Sequence, residues 1–406
     1  MILYYKLYRI NKNFIEMKSV FINRDGLEKV KLKNLWIYNK ELKSIPKVSE
    51  SGEVVKVFSP DKKFVGIGFL NPKSKITLRM LSFKEETIGK DFFIKRIKKA
   101  LEKRKHLENI TNAYRVIHAE ADGLSGLIVD YYDGYLSIQI NSAAMEYFRD
   151  LIIQSLIDVL NPKGIYEKSD EKSREKEGLN TQDRVLYGEI PEKIEIFEYN
   201  AKFFVNLKES QKTGFYLDQR ENRKVVSDFV REGFEVLDLF SNSGGFGIHC
   251  ALKGASFVKF VDISSNAVDY IEKNLSLNSI KNYEIVKEDV FDFLKQEVKT
   301  GKKYDLIILD PPPFAKTKNE KEGAIRGFKY LILNSLKLLN ENGYLAVFSC
   351  SHHVSMQDLI DTTLQACKDS SSTVEIKKFL MQDTDHPYVL NIPSSFYLKG
   401  FLSQKV

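Results

Sequence analysis

VLDLFSNSGGFG, residues 236–247, decides how the second half of this chain is read. Its first five residues are an apolar strand interrupted by one acid, Asp238. Its last seven, Ser241 to Gly247, form a turn with glycine at 244 and 245 ahead of a helix. Glycine lets a backbone turn tightly and come close to a ligand. The helix N-terminus beyond it presents amides. The GxGxxG spacing of a dinucleotide site is missing, and Asp238 inside the strand argues against a pyrophosphate cofactor.

Working outward, the period of the sequence stays that of short apolar strands. FVKFVDI, YEIVKED, YDLIILD and YLAVFSC follow, separated by helical patterns at 246–253, 265–277, 290–299, 322–340 and 355–368. Apolar strands alternating with helices imply a parallel sheet covered on both faces. Two late strands, EIKKFLM (375–381) and SFYLKGFL (395–402), are expected to finish one edge as a hairpin. The second strand ends at Asp262, where a carboxylate can accept from both hydroxyls of a ribose. The third ends at Glu288-Asp289, where an adenine amine could be held. Each acid could equally cap the helix that follows it. Their order in consecutive strand–helix units points to a nucleoside-bearing cofactor at the strand C-termini.

The fourth strand ends in DPPPF, with Asp310 at its tip. Three prolines fix the backbone and donate no amide hydrogens. They make either a plain turn or a rigid floor for a planar base. The fifth strand ends in SCSHH, with Cys350 at its tip. Neighbouring strands lie about 4.8 Å apart, which brings Asp310 and Cys350 into one crevice beside the glycine turn. Carbon 5 of cytosine is a poor nucleophile until a thiolate adds at carbon 6; this is covalent catalysis. A carboxyl group near ring nitrogen 3 would stabilise the adduct, and a base must then remove the carbon 5 proton. The bland reading of a strand-end cysteine is a small buried residue, and Cys250 and Cys367, in helical segments, are given that reading. His352 and His353 suggest a metal, but adjacent residues seldom chelate together and no third ligand is evident, so no metal is expected.

The first half is different. EVVKVF (53–58), FVGIGFL (64–70) and KITLRMLS (75–82) alternate as strands within a small β-rich unit from Val20 to Phe83. Residues 91–109 read as a basic amphipathic connecting helix, with Phe93, Ile97, Ala100 and Leu101 on one face. Residues 114–200 form an α+β unit with strands at 114–120, 124–132 and 135–141. A helix follows at 145–160, and then a hairpin at 193–207. The charged loop 167–178 shows no core pattern.

The net charge of +7 is unevenly spread. Residues 1–110 hold 26 Lys/Arg against 12 Asp/Glu, and the remainder is acidic. Such a basic part suggests docking to a polyanion, with solvated surface lysine as the alternative. No apolar run approaches the roughly 18 residues of a membrane span. Three scattered cysteines fit a reducing cytoplasm. Residues 1–16 do not read as a signal peptide, and Met17 could be the natural start.

Several stretches resemble one family. They are KESQKTGFYLDQRENR (208–223), VLDLFSNSGGFG, VDIS (261–264), DPPPFAK (310–316), FSCS (348–351), TDHP (384–387) and FYLKGF (396–401). Together they resemble the bacterial 23S ribosomal RNA cytosine-5 methyltransferases with an N-terminal PUA domain, over nearly the whole chain from Met17. Asn34-Leu35 stand where family members often carry His-Pro before a tryptophan, and EKEGL (175–179) resembles a middle-domain segment.

The resemblance implies an α/β fold: a class I, Rossmann-like, seven-stranded methyltransferase sheet preceded by a β-rich PUA domain and a small α+β domain. The implied boundaries are 17–90 for the PUA-like RNA-binding domain, 91–204 for the connecting helix and α+β domain, and 205–406 for the methyltransferase domain. It implies Cys350 as nucleophile and Asp310 as its acidic partner. It places contacts to S-adenosylmethionine at Phe240, Ser241, Gly244, Gly245, Asp262, Ile263, Asp289 and Val290, with Arg220 near the cofactor carboxylate or the RNA. The expected partner is 23S ribosomal RNA, free or in an assembly intermediate, with a homodimer left open, no membrane, and a cytoplasmic setting. Two rivals remain. One is a methyltransferase for another base or another RNA, with Cys350 structural. The other is a non-catalytic RNA-binding assembly factor.

Overall fold

Alternation of apolar strand and helix requires a sheet with helices on both faces, and the computed structural model has one. It describes residues 17–49, 52–209 and 213–406. The expectations for residues 1–16, and residues 210–212 of the KESQKTGFYLDQRENR stretch, lie outside these. The chain divides into two compact units. One comprises the residues up to Ile194 with Val205–Phe215 and Pro387–Ser395; the other comprises Glu195–Phe204, Tyr216–His386 and Phe396–Val406. Among the described residues no helix is long and apolar enough to cross a membrane.

The first unit opens with six strands, β1 (Ser19–Ile22), β2 (Trp36–Ile37), β3 (Leu42–Ser44), β4 (Glu53–Phe58), β5 (Phe64–Leu70) and β6 (Leu78–Ser82). They form one sheet in the order β2-β6-β5-β4-β1-β3. Alternation drives it: Val55 and Val57 are buried while Lys56 between them is not. The strand expected from Lys75 begins only at Leu78. Asn71 and Thr77 instead close a turn, Asn71 N donating to Thr77 O at 2.9 Å. A helix, Arg24–Lys31, interrupts the expected β-rich run. Asn23 caps it by accepting from Gly26 N.

Five more strands make a second sheet: β7 (Ala113–His118), β8 (Leu127–Tyr132), β9 (Tyr135–Ile140), β10 (Gly164–Glu167) and β11 (Arg184–Gly188). The Lys90–Arg104 helix buries Phe92, Phe93, Ile97 and Ala100 in the same core as Ile152 and Leu156 of the Arg149–Leu160 helix. The single helix expected over 145–160 is two, Ala143–Tyr147 and Arg149–Leu160. They meet at Phe148, whose ring packs 5.4 Å from that of Phe93.

The charged loop 167–178 is not coreless. Glu167, Arg174 and Glu177 are buried. Arg149 Nη2 donates to Glu167 at 3.0 Å, Arg79 Nη2 to Glu177 at 2.7 Å, and Arg174 Nη1 to the Ile140 carbonyl at 2.5 Å. Charges that satisfy one another are invisible to a search for apolar periodicity.

The second unit carries a hairpin, β12 (Ile194–Glu198) with β13 (Ala201–Val205), and a seven-stranded sheet. The sheet strands are β14 (Glu235–Leu239), β15 (Phe257–Asp262), β16 (Tyr283–Lys287), β17 (Tyr304–Leu309), β18 (Leu339–Ser349), β19 (Val374–Met381) and β20 (Lys399–Lys405). Their order is β16-β15-β14-β17-β18-β20-β19. The first five are parallel; β20 inserts antiparallel between β18 and β19. The order reverses at β14, between β15 and β17, which is where open α/β sheets bind ligands. The last strand starts at Lys399 rather than near Ser395. The backbone amides of Tyr397 and Leu398 donate to the Gln382 side chain, so they are not available to a ladder.

Candidate active site

The turn after β14 holds an unusual backbone. Phe240 and Asn242 have φ of +61° and +51°, and Gly244 has +81°. Left-handed conformations cost a non-glycine residue about 1–3 kcal/mol and persist where surroundings enforce them. Here Ser241 Oγ donates to Asp238 O at 2.6 Å and accepts from Val261 N at 3.0 Å, tying β14 to β15. Asn242 N donates to Asp262 Oδ2 at 2.9 Å, and Asn274 Nδ2 holds the Ser243 carbonyl.

The Gly245–Leu252 helix then leaves the turn. A Cβ at Gly247 would lie 2.2 Å from the Phe260 ring, so helix and sheet approach more closely than any side chain allows. Gly247 N donates to Asp238 Oδ2 at 2.9 Å. Burial pushes the Asp238 carboxyl up to about 7, with Asp310 and Asp262 adding to the rise.

Asp262 is fixed by two backbone amides, Ser264 N on one oxygen and Asn242 N on the other, each at 2.9 Å. A carboxylate oxygen has two lone pairs, so each can still accept a hydroxyl. Ile263 beside it is exposed. Asp289 caps the Val290–Thr300 helix, accepting from Phe291 N at 2.8 Å through one oxygen; Val290 itself is buried. Amides at a glycine turn, an acceptor for ribose hydroxyls and an exposed apolar neighbour fit a nucleoside-bearing sulfonium cofactor.

β17 and β18 are neighbours, with Leu309 opposite Val347. Asp310 follows the first strand and Cys350 follows the second strand's last residue, Ser349. Gln219 Nε2 donates to Asp310 Oδ2 at 3.0 Å and is itself held by Asn222. Tyr216 is half-buried, and burial raises its hydroxyl well above the usual range, with Asp310, Asp218, Cys350 and Asp262 all adding to that shift. One hydroxyl thus feels the catalytic candidates and the ribose candidate together.

The prolines lead to Phe314, whose ring packs on Phe240, Phe291 and Phe328. Ser351 Oγ donates to Ala315 O at 2.6 Å, which locks the cysteine loop to the proline loop. Cys250 and Cys367 are buried in helices, whereas Cys350 is half-buried. His352 is exposed, yet partial desolvation, with Lys399 and His353, lowers its basicity.

Arg220 is fully buried, 2.7 Å from Asp383 and 3.1 Å from Asp385. Asp385 also meets His386 Nδ1 at 2.8 Å. Arg223 donates to Glu198 through Nε at 2.5 Å and to the Tyr216 carbonyl at 3.0 Å. His249 shares Glu198 at 2.8 Å. Burial works to raise the Glu198 carboxyl, yet Arg223 and His249 hold it down at about 2.

Sequence reasoning had not singled out Tyr216, Gln219, Lys399 or Glu198. The first two lie in the KTGFYLDQR stretch. The signal for Lys399 was a lysine inside the aromatic and aliphatic run FYLKGF.

A reversing parallel sheet with this turn and these acids at its strand ends defines a class I methyltransferase domain, here preceded by a PUA-like domain. A PUA-like family model matches residues 20–83, and the family called Conserved hypothetical protein 95 matches residues 223–376. Over 95% of its length the chain is 37% identical to the Ribosomal RNA large subunit methyltransferase I of Aeromonas hydrophila, 98% of which is covered. With the enzyme of that name from Vibrio cholerae it shares 35% identity over 94% of this chain and 98% of the other. The chain belongs to the ribosomal RNA large subunit methyltransferase I family.

Among solved structures, a protein described as a methyltransferase complexed with SAH matches with a TM-score of 0.83 and 24% identity, covering 96% of this chain and all of that one. A protein from Streptococcus mutans described as a SAM-dependent methyltransferase matches at 0.80 and 23%, with the same coverage. At these identities the likeness speaks for the fold.

Proposed function

We propose that this protein transfers a methyl group from S-adenosylmethionine to carbon 5 of a cytosine in 23S ribosomal RNA, with Cys350 as nucleophile and Asp310 as its acidic partner. The observation that supports this reading is that Asp310 and Cys350 follow the ends of the neighbouring strands β17 and β18, next to the turn after β14 at the switch point of the sheet. Ser241, Gly244 and Gly245 would line the cofactor's amino-acid end, with Arg220 behind it. Asp262 would take the ribose. Ile263, Asp289, Val290 and Phe240 would frame the adenine. S-adenosylmethionine supplies an electrophilic methyl group.

The protein's own part begins with the Cys350 thiolate adding to carbon 6 of the base. The electrons of the C5–C6 double bond move toward ring nitrogen 3, where Asp310, oriented by Gln219, places a hydrogen bond. Carbon 5 is then nucleophilic and takes the methyl. Loss of the carbon 5 proton to a base, with cleavage of the C–S bond, restores the ring and the thiolate. Residues 17–90 would dock the RNA, residues 91–204 connect, and residues 205–406 carry the chemistry.

The test is methylation of unmodified 23S RNA, compared with the same RNA in subunit precursors, followed by nucleoside mass analysis. Wild-type protein is expected to yield 5-methylcytidine. Cys350→Ala is expected to yield none while binding S-adenosylmethionine as before. Another methylated base, or full activity in Cys350→Ala, would remove the covalent cytosine mechanism.

A further inference from the structure

Lys399 opens β20, a strand covered on either side by β18 and β19, and it is 3% exposed. The antiparallel register sets it opposite Ser349, the residue before Cys350. Its ammonium donates to the carbonyls of Ser351 at 2.5 Å and Val354 at 2.9 Å, both on the loop that follows Cys350. The Phe396 ring lies 6.0 Å away. Among the described residues no carboxylate stands within ion-pair distance of it. A buried ammonium held by carbonyls and without an ion-pair partner is costly unless an anion forms nearby.

The titratable groups that act on Lys399, or share with it the charge of Cys350, come from several elements. Tyr216, just before the Leu217–Gln219 turn, feels the charges of both Asp310 and Cys350; His352 and His353 lie on the cysteine's own loop, and Lys399 on β20. Asp358, from the Met356–Ser370 helix, also acts on Lys399. Burial pulls the ammonium down to about 8, and the charges of Cys350 and Asp358 work the other way. His352 is made less basic by desolvation and by the neighbouring Lys399 and His353, so it is a poor source of positive charge at neutral pH.

We infer that Lys399 is a positioning residue for methyl transfer: it fixes the loop that presents Cys350 and supplies the positive charge against which that thiol ionises. This rests on Cys350 being the nucleophile. A thiol beside a lysine ammonium ionises at lower pH than one alone, and the effect grows where water is excluded. The influence is mutual: the thiolate keeps Lys399 charged as pH rises. The Ser351–Ala315 bond extends the same anchor to the ledge beyond Asp310. Lys399 therefore sets both where the sulfur sits and how much of it is thiolate.

The experiment measures iodoacetamide alkylation at Cys350, resolved by peptide mass analysis, as a function of pH. It uses the full chain, alongside the pH profile of kcat/KM. Wild type is expected to show a half-maximal pH below the ordinary thiol value of about 8.5. Lys399→Gln retains hydrogen-bond donors but not the charge. It is expected to raise that midpoint by about one unit, lowering alkylation and kcat near neutrality about 10-fold. KM for RNA and for S-adenosylmethionine should hold, and Lys399→Arg should restore the profile.

A wild-type midpoint at or above about 8.5 would overturn the inference without any variant. So would a folded Lys399→Gln protein that alkylates with the wild-type profile while Cys350→Ala is inactive. Full activity in Cys350→Ala would strike the nucleophile itself, and the role of Lys399 in the reaction with it.

Discussion

Asp238 is a carboxyl group with no solvent, set in the strand that ends at the glycine turn. In the unfolded chain it loses its proton near 3.8; in the folded chain it keeps it to about 7. Between those values the native state binds more protons than the unfolded state, so rising pH drains stability. Asp238→Asn can still accept the Gly247 amide and has nothing to titrate. Urea unfolding from pH 4 to pH 8 should show the variant gaining on wild type as pH rises; parallel curves would remove this account. Glu198 works in the opposite sense. Held at about 2 by Arg223 and His249 against the pull of burial, it stabilises the fold above its ordinary value of 4.5. That contribution is lost as pH falls from there through 2. Glu198→Gln should therefore cost most at neutral pH and least near pH 2, in urea unfolding carried down from pH 7 to pH 2. The acids at the strand ends were legible as residues in the sequence. The protonation of Asp238 was not, because it follows from its full burial under the packed helix and, after that, from Asp310 and Asp262 reaching it from other strands.

At the scale of elements, the approach of the Gly245–Leu252 helix to β15 depends on an absent methyl group. Gly247→Ala must push Cβ against the Phe260 ring, and the expected loss is about 1–3 kcal/mol in denaturant unfolding. Gly323, early in the Lys321–Leu338 helix, has open space instead: a methyl group there would meet nothing nearer than the far end of Arg326, at 3.8 Å. Gly323→Ala should stabilise by about 0.5–1 kcal/mol in the same assay. Equal effects of the two would deny that packing sets the difference. The parallel strands were legible because burial on both faces makes them continuous apolar runs. The Arg24–Lys31 helix was not, since Gly26 and Val30 are its only buried residues and strand-like alternation surrounds it. Nor was the Phe148 break, where an apolar run continues straight through a change of axis. The Glu167–Arg149 and Glu177–Arg79 pairs lie far apart in sequence, and no local pattern connects such partners.

For the molecule as a whole, the question is where a polyanion would meet it. Six of the basic side chains of residues 1–110 line, within the first unit, a cleft of about 450 Å³, together with Glu86, Glu120 and Asp122. Leu35, Phe83 and Phe92 contribute apolar lining, and Lys33, Lys84, Lys95 and Lys99 line it with charge. Asn34 Nδ2 donates to the Asn391 carbonyl at 3.2 Å, holding the Pro387–Ser395 segment at the same cleft. Lys95 and Lys99 are both exposed and stand one helical turn apart. Among the described residues neither meets a carboxylate, whereas Lys103, one turn further, is taken by Asp122 at 2.8 Å. Like charges at this spacing repel by a few tenths of a kcal/mol, a cost that a bound phosphate backbone would reverse. If RNA docks here, each lysine neutralises about one phosphate and releases its counterions. The double variant Lys95→Ala/Lys99→Ala should then weaken binding to 23S RNA. It should also flatten the plot of log affinity against log salt by about one unit per lysine. Affinity for S-adenosylmethionine should not change. An unaltered salt slope would place the RNA elsewhere and leave these lysines as solvated surface. The sequence carried the charge imbalance and the basic helix. It could not show that Lys103 is already spoken for while Lys95 and Lys99 are not, and that difference decides which lysines the prediction names.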